Sequence, residues 1–276
     1  MFIVGSCSLW SFALRSSSSD LSPSPVSTRK VEQLVVQTFR DEEEMGAAAA
    51  AAVIAALKER LRRQDHLRMV FAAAPSQSSM LKRLSVAEDI DWRRVTAFHM
   101  DEFIGLPAEA PQRFAHWLDR HLFDRIPFGA VHKIRPEPDP EQECERYAGL
   151  LNEAPIDFVC LGIGVNGHIA FNDPPVADFD DPNDVKVIDL DEICRRQQLD
   201  DQGFASMDEV PRRAITLTIP RLLRADRLFC IVPGAHKKDA VRGSLHGPVT
   251  TACPASILRR HADCTLFLDR EADPDA

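Results

Sequence analysis

The stretch LGIGVNGHIAFNDPP, residues 161–175, decides the fold. It follows a short apolar run, residues 156–160, with the length and β-branched content of a buried strand. Gly162, Gly164 and Gly167 then allow the backbone to turn sharply and approach a ligand closely. Asn166, His168, Asn172 and Asp173 fall within the same few residues, and two prolines end the element. A strand running into a glycine-rich turn that carries a histidine and a carboxylate sits where open α/β sheets bind their ligands. The stretch reads as a candidate active site.

The same strand-then-turn pattern recurs on both sides of it. Residues 41–44 are acidic, an alanine run follows at 47–52, and basic residues close the segment at 58–63, which predicts a dipole-matched helix. Strands are predicted at 69–74 and 95–99, with a helix starting in the serine cluster at 75–79. Helical spacing covers 112–123 and 141–151. Beyond the central stretch, strands are predicted at 185–190, 214–219, 228–232 and 265–268, with helices at 237–245 and 256–260. Alternating strands and helices predict an α/β, Rossmann-like, mostly parallel sheet with helices on both faces. No repeat or internal linker divides the chain, so residues 31–276 are expected to form one domain.

Composition narrows the function classes. The chain has 276 residues and a formal net charge of -9, which argues against nonspecific nucleic-acid binding. Seven cysteines at wide spacing suggest neither a disulfide framework nor a CxxC metal site, and fit a reducing cytoplasm. No apolar run is long enough to cross a membrane. Residues 1–30 are mildly apolar, then serine- and proline-rich, with no basic residue ahead of the apolar part. They are expected to be a disordered extension or the product of a misassigned start, not a secretory signal.

Polar groups gather at four predicted strand ends: Ser76 and Gln77, Asp101 and Glu102, Asn166 to Asp173, and His236 with Lys237. Taken singly, each has a structural role as its simplest explanation: a helix cap, turn acids, a turn histidine, a solvated lysine. Parallel strands bring their C-terminal ends to one edge, and joint placement there favours function. Such a set permits acid–base chemistry on a small phosphorylated molecule, with histidine as proton shuttle, a carboxylate as base, and hydroxyls and lysine on the phosphate. The G-x-S-x-G elbow of α/β-hydrolases is absent. His99, Asp101 and His168 have no recognised metal-ligand spacing.

Three segments carry a resemblance: VTAFHMDEFIGLP at 95–107, LGIGVNGHIAFNDPP, and the stretch from Ala214 through VPGAHKKDAVRGSLHGPVTTACPASIL. Over roughly residues 35–272 the sequence resembles the glucosamine-6-phosphate deaminase (isomerase) family, related to the 6-phosphogluconolactonases. The resemblance implies conversion of glucosamine 6-phosphate and water to fructose 6-phosphate and ammonia, in amino-sugar catabolism, without metal or organic cofactor. It implies that Asp101 moves the proton between C2 and C1, that His168 assists ring opening, and that Asp173 stands where the family has a carboxylate supporting that histidine; Asn166 falls at a catalytic position where some members carry aspartate and others asparagine. It assigns Ser76, Gln77, Lys237, Glu102 and Gly167 to the substrate and its phosphate. It leaves homo-oligomerisation open.

The chain departs from the family at several points. The phosphate loop reads Ala74-Pro75-Ser76-Gln77 in place of a Thr-Gly-Ser-Thr-like turn, and proline removes one N–H donor. Asp173 replaces the usual glutamate, a methylene longer. Between Asp191 and Asp208 no residue matches the family's phosphate arginine cleanly, although Arg195 and Arg196 are near. Asp184 stands where allosterically activated members have an arginine, which argues against activation by an N-acetylated sugar phosphate. Two alternatives stand beside the deaminase reading: a 6-phosphogluconolactonase-like hydrolase, and a non-catalytic sugar-phosphate sensor. HIAFND and MDEFIGLP favour the deaminase over the lactonase pattern G-x-D-G-H-T-A-S-L-F-P. Retention of a base and a histidine argues against a sensor.

Overall fold

The computed structural model describes residues 22–276. Its strands, in chain order, are β1 Ser27–Val31, β2 Leu34–Phe39, β3 Leu67–Phe71, β4 Val95–His99, β5 Asp101–Phe103, β6 Ala130–His132, β7 Phe158–Leu161, β8 Val185–Asp189, β9 Arg213–Leu217, β10 Arg227–Val232 and β11 Cys264–Asp269. Its α-helices are α1 Glu42–Leu61, α2 Ser78–Leu84, α3 Phe114–Leu118, α4 Pro140–Asn152, α5 Glu192–Gln202, α6 Ile219–Leu223 and α7 Lys238–His246.

Eight strands form one sheet in the order β1-β2-β11-β10-β7-β3-β4-β6. Every pairing in it is parallel except β1 with β2. The central strands are buried on both faces, and their side chains alternate between two cores. Met69, Phe71, Phe229, Ile231 and Phe267 face one core, shared with Ala49, Val53 and Leu57 of α1. Val70, Leu228, Cys230, Leu266 and Leu268 face the other, shared with Tyr147 of α4 and Val241 of α7. The expected parallel sheet with helices on both faces is the fold observed.

The alanine run in α1 reflects close packing. A Cβ on Gly46 would stand 2.1 Å from the Ser79 hydroxyl of α2, so the two helices meet almost backbone to backbone. Asp41 caps α1 by accepting from the Glu44 N–H at 2.8 Å, as the acidic start of the segment leads one to expect.

Several elements differ from the sequence reading. The predicted strands at 185–190 and 214–219 exist, but they lie in a separate antiparallel sheet, β5-β9-β8, outside the parallel one. The predicted helix at 112–123 is α3 followed by a wider π-type turn, Asp119–Phe123. That at 256–260 is a 3-10 helix, Pro254–Arg260. Of the extension set aside at 1–30, residues 1–21 lie outside the described residues, and Ser27–Val31 belongs to the domain as the edge strand β1. Its exposed face hid it among the serines; Arg29 anchors it through two hydrogen bonds to Asp273, at 2.9 and 2.6 Å.

The chain reverses its direction of travel across the sheet between β3 and β7. From β3 it steps to β4 and β6; from β7 it steps the other way to β10 and β11. The crevice above the C-terminal ends of β3 and β7 is therefore the topological switch point, where such sheets bind ligands.

Candidate active site

A cavity opens at that switch point. The loops after β3, β4, β7 and β10 supply Ser76, Asp101, His168 and Lys237 to its wall. Four of the sequence-predicted side chains thus come together from positions 161 residues apart or less in the chain.

Asp101 sits where the two sheets join. The chain leaves β4 at His99, passes through Met100 and enters β5 at Asp101, while the Met100 carbonyl accepts from Leu217 N–H at 2.8 Å. The hydroxyl of Tyr147 fixes the same turn, accepting from His99 N–H at 3.0 Å and donating to His99 C=O at 2.9 Å. Asp101 is only 6% exposed. Burial, and then the neighbouring Glu102 charge, hold its carboxyl well above the ordinary range. A carboxylate raised in this way is a stronger base toward a carbon acid.

His168 lies flat against the turn that precedes it. A Cβ on Gly164 would fall 2.1 Å from the imidazole, so only glycine admits the ring there. Its Nδ1 is 2.8 Å from both Asn166 Oδ1 and Asp173 Oδ1. Asn166 Nδ2 donates to Asp173 Oδ1 at 3.0 Å, closing the triangle. Burial pushes the Asp173 carboxyl up, but the hydrogen bond and charge of His168, with Asn166, outweigh it and hold the group below its usual value. Asp173 is therefore the ionised partner, Nδ1 carries the proton, and Nε2 is the nitrogen left for a ligand. The residue shorter by a methylene still reaches the ring. Ala170, on the cavity wall, holds φ at +47° in the tight turn that brings Phe171 and Asn172 back against β9.

Three other predicted binding residues take structural places instead. Glu102 is fully buried off the cavity, its carboxylate accepting from the N–H groups of Phe103, Phe114 and Ala115 at 2.9 to 3.0 Å. It caps the start of α3, while burial pushes it up to about 7. Gln77 braces the sheet, its Nε2 donating to Leu161 C=O and Ile231 C=O at 3.3 Å. Gly167 is turned away; it adopts φ +83°, and its carbonyl accepts from Ala255 N–H at 2.8 Å. In each case, a neighbour of the functional side chain does the scaffolding.

The sequence reading missed one wall altogether. Helix α5 contributes Gln197, Gln198 and Asp201 to the cavity, and α1 contributes Glu42. Gln197 docks α5 on the histidine loop, accepting from Val165 N–H at 2.9 Å and donating to Asp201 at 2.9 Å. The two arginines considered for the phosphate do not reach it. Arg195 is buried against the carbonyls of Met207, Val210 and Pro211, and Arg196 pairs with Glu192 on the surface. Lys237 is thus the cavity's one Lys or Arg among the described residues. Burial lowers its pKa, an effect the Asp201 charge opposes.

The idea of a metal at His99, Asp101 and His168 fails on geometry. His99 is buried behind the cavity with Nε2 accepting from Ile134 N–H at 2.9 Å, and burial drives its pKa down to about 3. The unfolded chain therefore binds a proton below its ordinary value of 6.5 that the fold refuses until about pH 3. Stability should fall as pH drops through 6.5, by about 2 kcal/mol at pH 5 from this group. His99→Gln, which keeps an acceptor for Ile134, should remove that part of the loss in denaturant melts at pH 7 and pH 5; an unchanged pH slope would refute it.

The family model described as glucosamine-6-phosphate isomerases/6-phosphogluconolactonase matches residues 40–267. The chain belongs to this family. Glucosamine-6-phosphate deaminase of Exiguobacterium sibiricum is 38% identical over 186 residues, which cover 66% of this chain and 71% of that one. The Bacillus thuringiensis enzyme of the same name is 36% identical over 184 residues, 66% and 68% of the two chains. Among solved structures, a monomeric glucosamine-6-phosphate deaminase superposes with a TM-score of 0.78 at 28% identity, over 86% of this chain and 98% of that one. A 6-phosphogluconolactonase of Thermotoga maritima shares the fold alone, with a TM-score of 0.70 at 21% identity over 86% and 100%. Family membership makes a phosphorylated sugar the substrate class. No helix among the described residues is long and apolar enough to cross a membrane.

Proposed function

We infer that this family member is a glucosamine-6-phosphate deaminase: it converts glucosamine 6-phosphate and water to fructose 6-phosphate and ammonia. The observation that carries the reading is the pairing, in one cavity, of a desolvated carboxylate, Asp101, with a histidine whose far nitrogen is tied to Asp173 and Asn166. In this assignment Nε2 of His168 takes the proton of the anomeric hydroxyl and returns one to the ring oxygen, which opens the sugar. Asp101 then removes the proton from C2, giving an enolamine, and delivers it to C1. The resulting imine at C2 adds water and expels ammonia, leaving the ketose. The Nδ1–H bond to Asp173 fixes which nitrogen works and steadies the imidazolium formed in passing.

The phosphate is assigned to the Ser76 hydroxyl and the Lys237 ammonium, with the Gln198 amide of α5 replacing the family's arginine. Glu42, Asp101 and Asp201 make the rest of the cavity acidic, which suits a substrate that also carries an ammonium group. The six cysteines among the described residues are all free thiols, which fits a reducing cytoplasm.

The test is a panel of hexosamine phosphates and 6-phosphogluconolactone, with ammonia and ketose phosphate measured together. Equimolar release of both from glucosamine 6-phosphate is expected; lactone hydrolysis without ammonia would replace this reading. Lys237→Ala should raise KM by roughly 10-fold or more, with a smaller change in kcat, since it holds the phosphate in ground and transition states alike. An unaltered KM removes it from the phosphate site.

A further inference from the structure

Behind the imidazole of His168, three unlike donors converge. A ring nitrogen of His168, a carboxylate oxygen of Asp173 and the sulfur of Cys194 all lie within 4.8 Å of one another, and Nδ1 is the nitrogen that stands 2.8 Å from Asp173. Asp173 and Cys194 have no exposed surface, and His168 is 7% exposed, through the cavity wall. Oδ2 of Asp173 has no hydrogen-bond partner, an uncommon state for a buried carboxylate oxygen. The Cys194 S–H lies close enough to favour the Asp173 carboxylate, but a thiol is a weak donor and leaves that oxygen poorly satisfied. Cys194 reaches this place from α5, the helix that Gln197 pins to Val165.

A divalent cation satisfies all three groups together. The Asp173 carboxylate and a Cys194 thiolate would balance its two charges, so the buried cluster stays neutral overall. Imidazole, thiolate and carboxylate suit Zn2+ and its thiophilic relatives and not Mg2+ or Ca2+. Bonds of about 2.0 to 2.3 Å place neighbouring ligand atoms of a tetrahedron roughly 3.5 Å apart, so shifts of about an ångström complete the site. Burial, and then the charge and hydrogen bond of Asp173, hold the Cys194 thiol well above its ordinary range, so it is the cation itself that must displace the thiol proton. The cavity offers the way in, past His168.

We propose that His168, Asp173 and Cys194 form a binding site for a thiophilic divalent cation, and that filling it switches the histidine off. On binding, the Cys194 S–H bond breaks, sulfur bonds to the metal, and the proton leaves to the buffer. The proton on His168 moves from Nδ1 to Nε2, because Nδ1 now bonds the metal. Nε2 then has no lone pair for the sugar hydroxyl. The binding is independent of the deaminase reading; only its inhibitory consequence rests on that reading.

The metal-free full chain titrated with Cd2+ should show a saturable thiolate-to-cadmium charge-transfer band. Zn2+ calorimetry in buffers of different ionisation enthalpy should report release of about one proton per ion. Cys194→Ala should lose the band and weaken Zn2+ binding by at least about 10-fold, and Cys194→Ser serves where the alanine variant does not fold. Absence of saturable binding, or a band undiminished in the folded Cys194 variant, overturns the site. Binding as expected without loss of deaminase activity overturns the switch and leaves the site. Binding by a chain inactive on every hexosamine phosphate counts against the deaminase reading and not against the site.

Discussion

Asp101→Asn should abolish turnover and stabilise the protein at once. In the proposed mechanism this removes the base that carries the proton from C2 to C1, which should lower kcat by as much as about 10⁴-fold, the upper range for a general base. Asparagine is nearly the same size and leaves the β4–β5 junction intact, so substrate binding should change little. The stability gain follows from burial. A carboxyl held above its ordinary 3.8 in the folded state binds its proton more tightly there than in the unfolded chain. Stability contributed by this group is therefore present at low pH and lost as pH rises from 3.8 through the raised value. The asparagine variant escapes that loss, so its Tm should exceed that of the native chain at pH 7 and approach it at pH 4. A Tm at pH 7 below the native value would show that Asp101 is a structural acid and not a strained catalytic one.

His168→Gln should cost on the order of 100-fold in kcat, and the cost should be selective. If the histidine opens the pyranose ring, the variant is most impaired on the closed sugar. The acyclic fraction of the substrate bypasses the missing step. Burst kinetics at high enzyme concentration should then show a fast phase equal to that fraction, followed by a slow phase at the rate of spontaneous opening. Asp173→Asn provides the control: it keeps the ring but removes the charge that selects the Nδ1–H tautomer. It should reproduce much of the histidine loss, whereas a single uniform slow phase in both variants would move the histidine to a later step.

The sheet was largely legible because its strands are buried on both faces and carry unbroken apolar runs, as at residues 228–232. Asp101, His168 and Lys237 were legible because each stands just beyond such a run. What escaped has a common physical cause. Helix α5 is mostly polar, with three of its eleven residues buried, so its inward face leaves little periodic signal. Yet it supplies Gln197, Gln198 and Asp201 to the cavity. Glu102 and Gln77 misled for the converse reason. Each adjoins a cavity residue in sequence, but side chains in extended or tightly turned backbone alternate in direction, and both point into the scaffold. The apolar runs of β8 and β9 mark them as strands, but nothing local tells which sheet a strand joins.

The strand order also says when the site can exist. β2 and β3 are made early but stand four places apart in the sheet, with β11, β10 and β7 filling the gap. As the chain emerges from the ribosome, the first half of the crevice therefore has no wall to lean on. Ser76 and Asp101 wait on loops beside an open, apolar strand edge until residues 158–269 have been added. The last strand to be made, β11, closes the sheet by slotting between β10 and β2. The finished sheet thus waits for β11, and a chain stopped short of Cys264 would leave the flanks of β2 and β10 bare and prone to pair with other chains.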